Sequence, residues 1–348
     1  GKIYMLKKNI LRIFFVIVII LNLNCFGYKK HVKNGFAMGA DLTIIIFHND
    51  SKKAQNILNK SFELADSLEK KVSSKIDNSI ITLLNQKKDM IIDDPFTLEL
   101  IKDSIYFAEM TEGDFEPTLF ELLNLWGIEK GIKIIPEGDN IKKALNKKGY
   151  KNILINENRV ILKNGVSIDL GGIAAGKIID RISLFLQSQG VKDFLINSSG
   201  DLVIKGKFQG MRDWLIGITN PFDPSKLIGE ISLTDCSITT SGDYEKYFIG
   251  EDGIRYHHIF DPKTGYPTKH NLHSFTVISD SSVKCDALST GIFVMGVEKG
   301  LKFLEKIGKT EGIFVINDEN NYSIIFSSGI DAKKNNNDMW DFVLKTKK

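Results

Sequence analysis

Hydrophobic positions along the chain follow two periodicities, and together they predict an α+β fold. Runs of β-branched residues predict buried strands, beginning with residues 42–47, and apolar residues at helical spacing predict amphipathic helices. Helices are expected at residues 51–70, 79–85, 95–108, 174–187, 286–296 and 298–306. Further strands are expected at residues 153–155, 160–162, 167–170, 194–196, 202–204, 215–218, 228–233, 314–316 and 323–326. Short turns join many of these strands, so we expect mostly antiparallel sheets flanked by helices.

The N-terminus carries a different pattern, a short apolar run between basic residues and a cysteine. Residues 13–21 are all apolar, Lys7, Lys8 and Arg12 precede them, and Cys25 follows. These features are typical of a secretory signal, and the apolar run is shorter than the roughly 20 residues that span a membrane. We expect residues 1–24 to be a signal peptide of lipoprotein type with Cys25 lipidated. The protein would then be exported and anchored on the periplasmic face of the inner membrane. An uncleaved membrane anchor is the alternative.

The net charge of +3 comes from this N-terminal region. The chain has 46 Lys and Arg against 43 Asp and Glu, and seven of the basic residues but none of the acidic ones precede Asp41. The remaining 39 basic and 43 acidic residues give the rest of the chain a charge of −4. A general nucleic-acid binder needs a basic surface on the fold itself, so we expect no nucleic-acid partner. Three consecutive asparagines at residues 335–337 predict a surface loop.

Two short motifs in the second half contain residues suited to binding phosphate and a metal ion. Residues 169–177 place two glycines where a strand is expected to give way to a helix, which suits a phosphate-binding turn or simply a tight turn. Asp286 and Thr290 are four residues apart and would share one face of a helix. Their oxygens suit Mg²⁺, although an Asp early in a helix also complements the helix dipole.

A third motif, at residues 239–267, contains the adjacent histidines His257 and His258. Histidine can move a proton near neutral pH, but it also serves as a structural hydrogen-bonding residue. Neighbouring side chains of a strand point to opposite faces, so we expect at most one of the two to reach a given site.

Taken in order, these motifs resemble those of the ApbE-type flavin transferases, the FAD:protein FMN transferases. The resemblance rests on Asp-Leu-Gly-Gly-Ile-Ala-Ala-Gly at 169–176, Thr-Ser-Gly-Asp-Tyr-Glu at 240–245, His-His-Ile-Phe-Asp-Pro at 257–262 and Asp-Ala-Leu-Ser-Thr at 286–290. Phe-Ala-Met-Gly at 36–39, Asp-Phe-Glu-Pro-Thr at 114–118 and Asn-Leu-Trp-Gly at 124–127 agree with it. The resemblance spans about residues 36–330. It implies one flavin transferase domain with a T-fold-related α+β architecture, followed by a C-terminal segment at 331–348.

The resemblance implies an enzyme that uses Mg²⁺ to split FAD, transfers FMN to a threonine hydroxyl of a target flavoprotein and releases AMP. The expected target is a subunit of an electron-transport or ion-pumping complex. By the same resemblance, the base that takes the threonine proton would be His258, or failing it His257, and Asp286 would be essential to catalysis. The metal would be held by Gly172, Asp286, Ser289 and Thr290. FAD would be contacted by Met38, Lys75, Asp114, Phe115, Glu116, Asp169, Ala175 and Ile259.

The chain departs from the family pattern at a few positions. Ala175 stands where Lys or Glu is usual, and Ser199 where Gly is common. Ala40 and Asp41 stand where Thr and an aromatic residue often follow Met-Gly, in a region associated with the balance between holding and hydrolysing FAD. Two alternatives therefore stay open. One is a Mg²⁺-dependent FAD pyrophosphatase that releases FMN and AMP, and the other is a lipid-anchored FAD-binding protein without catalysis.

Overall fold

The computed structural model describes residues 28–318, 321–334 and 340–344. The predicted signal peptide, Cys25 and the asparagine run at 335–337 lie outside these residues. Within the described residues, no helix is both long enough and apolar enough to cross a membrane.

Side-chain caps explain where several helices begin. Asp50, Ser79, Asp94 and Ser281 each accept a hydrogen bond from the backbone N–H three residues further on, which satisfies one of the unpaired donors of the first turn. The two helices predicted at 286–306 form one element, with non-helical backbone at Gly296. The α-helices of the described residues are α1 (Ser51–Val72), α2 (Ile80–Lys87), α3 (Pro95–Met110), α4 (Phe120–Trp126), α5 (Gly138–Leu145), α6 (Ala174–Ser188) and α7 (Ser282–Ile307).

The strands form one large sheet and three smaller ones. In chain order they are β1 (Lys29–Ala37), β2 (Ala40–His48), β3 (Asp89–Ile91), β4 (Ile153–Asn156), β5 (Arg159–Leu162), β6 (Phe194–Ser198), β7 (Asp201–Lys205), β8 (Trp214–Thr219), β9 (Leu227–Leu233), β10 (Cys236–Gly242), β11 (Tyr247–Ile249), β12 (Arg255–His257), β13 (Leu272–Ser279), β14 (Glu311–Asp318), β15 (Asn321–Phe326), β16 (Ile330–Lys334) and β17 (Trp340–Leu344). The large sheet is antiparallel throughout, in the order β1-β2-β6-β7-β10-β13-β14-β15. The smaller sheets are β16-β17-β9-β8, β3-β5-β4 and β11-β12.

Both faces of the large sheet are buried, each in a different hydrophobic core. Because side chains alternate along a strand, Ile44 and Ile46 of β2 pack towards the helices, while Ile45 and Phe47 pack towards the second sheet. The predicted α+β class with mostly antiparallel sheets is confirmed. Strands β16 and β17 extend this architecture beyond residue 330, since β17 pairs in parallel with β9.

The prediction of a strand at residues 167–170 is wrong, because these residues form no strand in the structure. The N–H of Ile168 donates to Oδ1 of Asn85, and its carbonyl accepts from Nδ2 of the same side chain, both at 2.8 Å. The N–H of Asp169 donates to the carbonyl of Pro117 at 2.8 Å. Backbone polar groups must find partners, and here a side-chain amide replaces a neighbouring strand. The segment therefore runs towards α6 as a loop.

A smaller aromatic core holds the histidine-containing segment against α4. The indole of Trp126 is fully buried, stacks on Tyr256 with a centroid distance of 5.5 Å, and donates Nε1–H to the carbonyl of Gly265 at 2.9 Å. Phe260 lies on the same indole at 5.5 Å. This packing fixes the chain on both sides of His257 and His258.

Candidate functional site

A cavity of about 400 Å³ lies among the β1–β2 turn, the end of α1, the start of α6, strand β10 and the first half of α7. Its volume falls in the range of small-molecule sites, roughly 300–1,000 Å³. The cavity brings together motifs that are distant in sequence. The predicted residues that line it are Met38, Lys75, Asp114, Phe115, Glu116, Asp169, Gly172, Ala175, His258, Ile259, Asp286, Ser289 and Thr290. His257 is not among its lining residues.

A tight hairpin presents Met38 to the cavity. Met38 and Gly39 are the two residues between β1 and β2, and both have positive φ, 57° and 68°. Two-residue hairpins favour this left-handed backbone because it matches the twist of the strands. The N–H of Met38 also donates to Oε2 of Glu69 on α1 at 2.7 Å, which fixes the turn against the cavity edge.

The glycine-rich turn serves both close packing and the cavity wall. The carboxylate of Asp169 accepts from Oγ of Ser74 at 2.5 Å and from the N–H of Gly171 at 2.9 Å. Gly176 meets α7 so closely that a Cβ there would lie 2.4 Å from the carbonyl oxygen of Ser282. Only glycine allows the start of α6 to approach α7 in this way.

Asp286 lies at the point where α6 meets α7. Its buried carboxylate accepts from the N–H of Gly176 at 2.9 Å, and α7 itself begins four residues earlier with Ser281 as its cap. The carboxylate therefore complements the N-terminus of α6 and not that of its own helix. Burial, reinforced by the charge of Asp201, raises the pKa of Asp286 well above its usual range.

The oxygens around Asp286 suit a hard cation. Thr290 follows one helical turn later, and a Cβ built on Gly172 would lie 3.7 Å from Oγ1 of Thr290, so the Gly172 backbone is close to that hydroxyl. Oγ of Ser289 donates to the carbonyl of Asp286 at 2.9 Å and accepts from Oγ of Ser241 at 2.8 Å. In the part of the chain that the structure describes, no group of three or more His, Cys, Asp or Glu side chains could hold a metal ion. A cation here would therefore depend on hydroxyl and carbonyl oxygens beside a carboxylate, a donor set that fits Mg²⁺.

The two histidines have different surroundings. Nδ1 of His257 accepts from the N–H of Ile259 at 3.3 Å, and Nε2 lies 3.3 Å from the carbonyl of Thr268. His258 lines the cavity, and its buried Nδ1 has no hydrogen-bond partner among the described residues. Burial lowers the pKa of both imidazoles to about 4, and Lys246 adds to this effect at His258. Both rings are neutral at pH 7.

A charged bridge crosses the cavity wall, and the sequence motifs did not predict it. Glu129 forms ion pairs with Lys75 and with Lys246, the latter at 2.9 Å between Oε1 and Nζ. Burial opposes ionisation of Glu129, but the two ammonium groups outweigh it and lower its pKa to about 2. The pairs join residues 54 and 117 positions apart, so no local pattern could reveal them.

Two further acidic residues of the wall were also missed. Burial raises the pKa of Asp201 to about 6, and burial with the charge of Asp201 raises that of Glu245 to about 7. Glu245 lies within the motif quoted at 240–245, and Asp201 follows the hairpin that contains Ser199. Both residues lie in or next to segments that the sequence analysis had singled out, but no local pattern indicated that their side chains line the cavity.

The carboxylates of Asp114 and Glu116 are already occupied by protein groups. Asp114 is only 3% exposed and accepts from the ammonium groups of Lys263 at 3.0 Å and Lys299 at 2.6 Å. Glu116 accepts from backbone N–H groups, those of Thr118 at 3.0 Å and Tyr150 at 3.2 Å. These two side chains hold the wall in shape, and Phe115 is buried between them.

Comparison with solved structures defines the class of protein to which this fold and cavity belong. The ApbE protein from Thermotoga maritima is 33% identical with a TM-score of 0.78, covering 86% of this chain and 97% of that one. Flavin transferase ApbE from Vibrio cholerae is 26% identical with a TM-score of 0.78, covering 86% of this chain and 98% of that one. The architecture is that of the ApbE flavin transferases.

The sequence comparisons identify the family to which the chain belongs. The model of the ApbE family matches residues 38–314, and the chain belongs to this family. A FAD:protein FMN transferase from Treponema pallidum is 29% identical over 281 residues, which is 75% of this chain and 77% of that protein. A FAD:protein FMN transferase from Klebsiella pneumoniae is 36% identical over 234 residues, or 66% of this chain and 71% of that protein.

Proposed function

We propose that the protein transfers the FMN moiety of FAD to a threonine hydroxyl of a target flavoprotein and releases AMP. The threonine oxygen forms a bond to the phosphorus on the FMN side of the pyrophosphate, and the bond from that phosphorus to the oxygen of the AMP phosphate breaks. The hydroxyl proton leaves with a base. The observation that carries the proposal is the cavity itself. It brings the neutral imidazole of His258 into one cavity with the oxygens of Asp286 and Thr290.

His258 is the base in this proposal. A threonine hydroxyl is a weak nucleophile and needs a proton acceptor close by. His258 lines the cavity and is neutral at pH 7, so its imidazole can accept a proton. The nitrogens of His257 lie beside backbone groups of Ile259 and Thr268, and that ring is outside the cavity lining. We therefore assign His257 the role of supporting the segment that carries His258.

The proposed metal ligands are Asp286, Thr290 and the carbonyl of Gly172. Bound Mg²⁺ would neutralise the pyrophosphate and the charge that develops on the departing phosphate. Gly176 orients the carboxylate of Asp286 through its N–H. Ser289 already has hydrogen bonds to Ser241 and to the backbone of Asp286, so its proposed contribution is to hold this part of α7 in place.

The remaining wall residues would bind and orient FAD. Lys75 and Lys246 offer ammonium groups that can complement the negative pyrophosphate, and Glu129 keeps both at the cavity wall. The proposed FAD contacts are Met38, Lys75, Phe115, Asp169, Ala175 and Ile259, with Asp114 and Glu116 supporting them.

The test uses purified protein, FAD, Mg²⁺ and a flavin-free candidate acceptor domain, followed by mass measurement of the acceptor. An FMN adduct on a threonine supports transfer. FMN and AMP without a labelled acceptor would indicate the pyrophosphatase, and recovery of intact FAD would indicate a binding protein. His258→Gln is expected to lower the rate of transfer by a factor of about 10² or more, because general-base catalysis contributes that much. The matched His257→Gln variant should retain most of the transfer activity, and an equal loss in both variants would contradict the assignment of His258.

The location of the protein is a separate proposal. We infer from the apolar run at 13–21 and from Cys25 that the chain is exported and anchored by lipid on the periplasmic face of the inner membrane. A target in an electron-transport or ion-pumping complex would be reachable from there. Mass measurement of the N-terminal peptide of the mature protein should find Cys25 as its first residue and carrying lipid, and an unmodified Cys25 still joined to residues 13–24 would contradict lipid anchoring.

A further inference from the structure

Strand β8 is an edge strand with an unusual composition. It ends the sheet β16-β17-β9-β8, and among the described strands only β9 pairs with it. Its sequence, Trp-Leu-Ile-Gly-Ile-Thr, contains no charged residue and no proline. The other edge of the same sheet, β16, carries Asp331, Lys333 and Lys334. Exposed edges usually carry charges or proline, because unpaired backbone groups attract further strands.

A small second cavity lies along this edge. It has a volume of about 90 Å³, and every residue from Leu215 to Thr219 contributes to its lining. Leu202 and Ile238 of the large sheet add apolar side chains from the other side. The volume is far below that of small-molecule sites but suits one aliphatic side chain.

This small cavity adjoins the proposed active site. Ser199, Thr240 and Glu245 line both cavities. Any acceptor must bring its hydroxyl into the main cavity from the protein surface, and the shared residues place the β8 edge beside that cavity.

We propose that the β8 edge binds the acceptor segment of the target flavoprotein as an added β-strand. Main-chain hydrogen bonds to β8 would supply affinity, and the small cavity would supply specificity, as in other cases of strand addition. The acceptor threonine would lie at the wall formed by Ser199, Thr240 and Glu245. Alternate residues of a strand share a face, so an aliphatic residue two positions from the threonine would enter the small cavity. This inference rests on the proposed transfer to a protein acceptor.

The first test separates acceptor binding from FAD binding. Leu215→Lys places a charge on the β8 edge, and Val343→Lys is the matched control, since Val343 is 56% exposed on β17 of the same sheet. With an acceptor domain that the unmodified protein labels, Leu215→Lys should raise the acceptor KM at least about tenfold. The Kd for FAD should stay within about twofold, because the main cavity is unchanged. Val343→Lys should resemble the unmodified protein in both measurements.

The second test needs no variant of the enzyme. Hydrogen exchange of residues 214–219 is measured with and without an acceptor domain whose threonine is replaced by valine, so that it binds but cannot react. Protection of this strand by the acceptor is expected. Protection that appears without acceptor and grows with enzyme concentration would mean that a second copy of the chain covers the edge, and it would overturn the proposal.

The outcomes distinguish this inference from the proposed function. If the unmodified protein labels an acceptor, but Leu215→Lys leaves the acceptor KM unchanged and residues 214–219 gain no protection, the β8 edge is not the docking surface. A parallel loss of FAD affinity in Leu215→Lys would also count against it. If the unmodified protein labels no acceptor at all, both the transfer function and this inference fail.

Discussion

The contact between α6 and α7 at Gly176 allows a direct test of how Asp286 is positioned. Gly176→Ala adds one methyl group at a place where a Cβ would lie 2.4 Å from the carbonyl oxygen of Ser282 and 2.8 Å from Cβ of Asp286. The nearest atom belongs to the backbone of α7, so no side-chain rotation can relieve the clash. The first turn of α6 must move away from α7.

The size of that movement follows from the geometry. A carbon and a carbonyl oxygen need a separation of about 3.3 Å, so the two helices must part by about 1 Å at this point. Overpacking of this kind costs about 1–3 kcal/mol of unfolding free energy. The same shift lengthens the 2.9 Å hydrogen bond from Gly176 to the Asp286 carboxylate. A misplacement of about 1 Å at catalytic groups can reduce the rate by about 10².

The assay compares Gly176→Ala with Gly138→Ala, the same substitution at an exposed position. Gly138 begins α5, and a Cβ built there meets no atom within 4 Å. We expect Gly176→Ala to lower the melting temperature by several degrees and the transfer rate by about 10². Gly138→Ala should change neither. Normal transfer and normal stability in Gly176→Ala would refute the reasoning that the close approach of α6 and α7 positions Asp286.

Three further predictions concern charged or titrating residues. Asp286→Asn keeps an acceptor for the N–H of Gly176 but removes a buried carboxylate, so we expect the metal-free variant to remain stable in calorimetry. A rise in the melting temperature of this variant on adding Mg²⁺ would contradict the assignment of Asp286 as a metal ligand. Lys246→Gln should weaken FAD binding several-fold in a fluorescence titration with little change in melting temperature, because exposed ion pairs contribute under about 1 kcal/mol. The pKa of His257 is about 4 in the folded protein and 6.5 in an unfolded chain. Between these two pH values the unfolded state binds more protons than the folded state, so the unfolding free energy rises with pH across that range. Urea unfolding from pH 4 to pH 7 should show a smaller rise for His257→Gln than for the unmodified protein, and an equal slope in the two would contradict the shift.

Local signals in the sequence were sufficient for most of the helices and many of the strands. The helix predicted from residue 51 begins there, after its cap Asp50. The helix predicted from residue 286 begins four residues earlier, at Ser282 after its cap Ser281. The quoted motifs likewise identified most of the cavity wall, because each motif contributes a short contiguous piece of it. The motifs did not predict how these segments are arranged in space, or which distant residues their side chains contact.

The failures have long-range causes. Residues 167–170 have the composition of a strand, yet Asn85 pairs with Ile168 from 83 positions away and replaces a neighbouring strand. The bridge of Glu129 to Lys75 and Lys246 depends on three separate segments that meet only in the folded protein. Neither contact leaves a periodic trace in the sequence.

The hydrophobic pattern also missed β10 and β13, and the reason connects the fold with the site. These strands lie next to each other in the middle of the large sheet but are rich in serine and threonine. Oγ1 of Thr240 and Oγ1 of Thr276 lie opposite each other at 2.7 Å, so two hydroxyls satisfy one another across the strands. Thr239, Thr240 and Ser241 of β10 also line the cavity. A fully apolar central strand would bury the sheet better but would leave this wall without hydroxyl groups. Positions where local pattern and fold disagree are expected at functional sites. Here β10 supplies hydroxyl groups to the wall of the proposed active site, and Thr240 lines the proposed acceptor cavity as well.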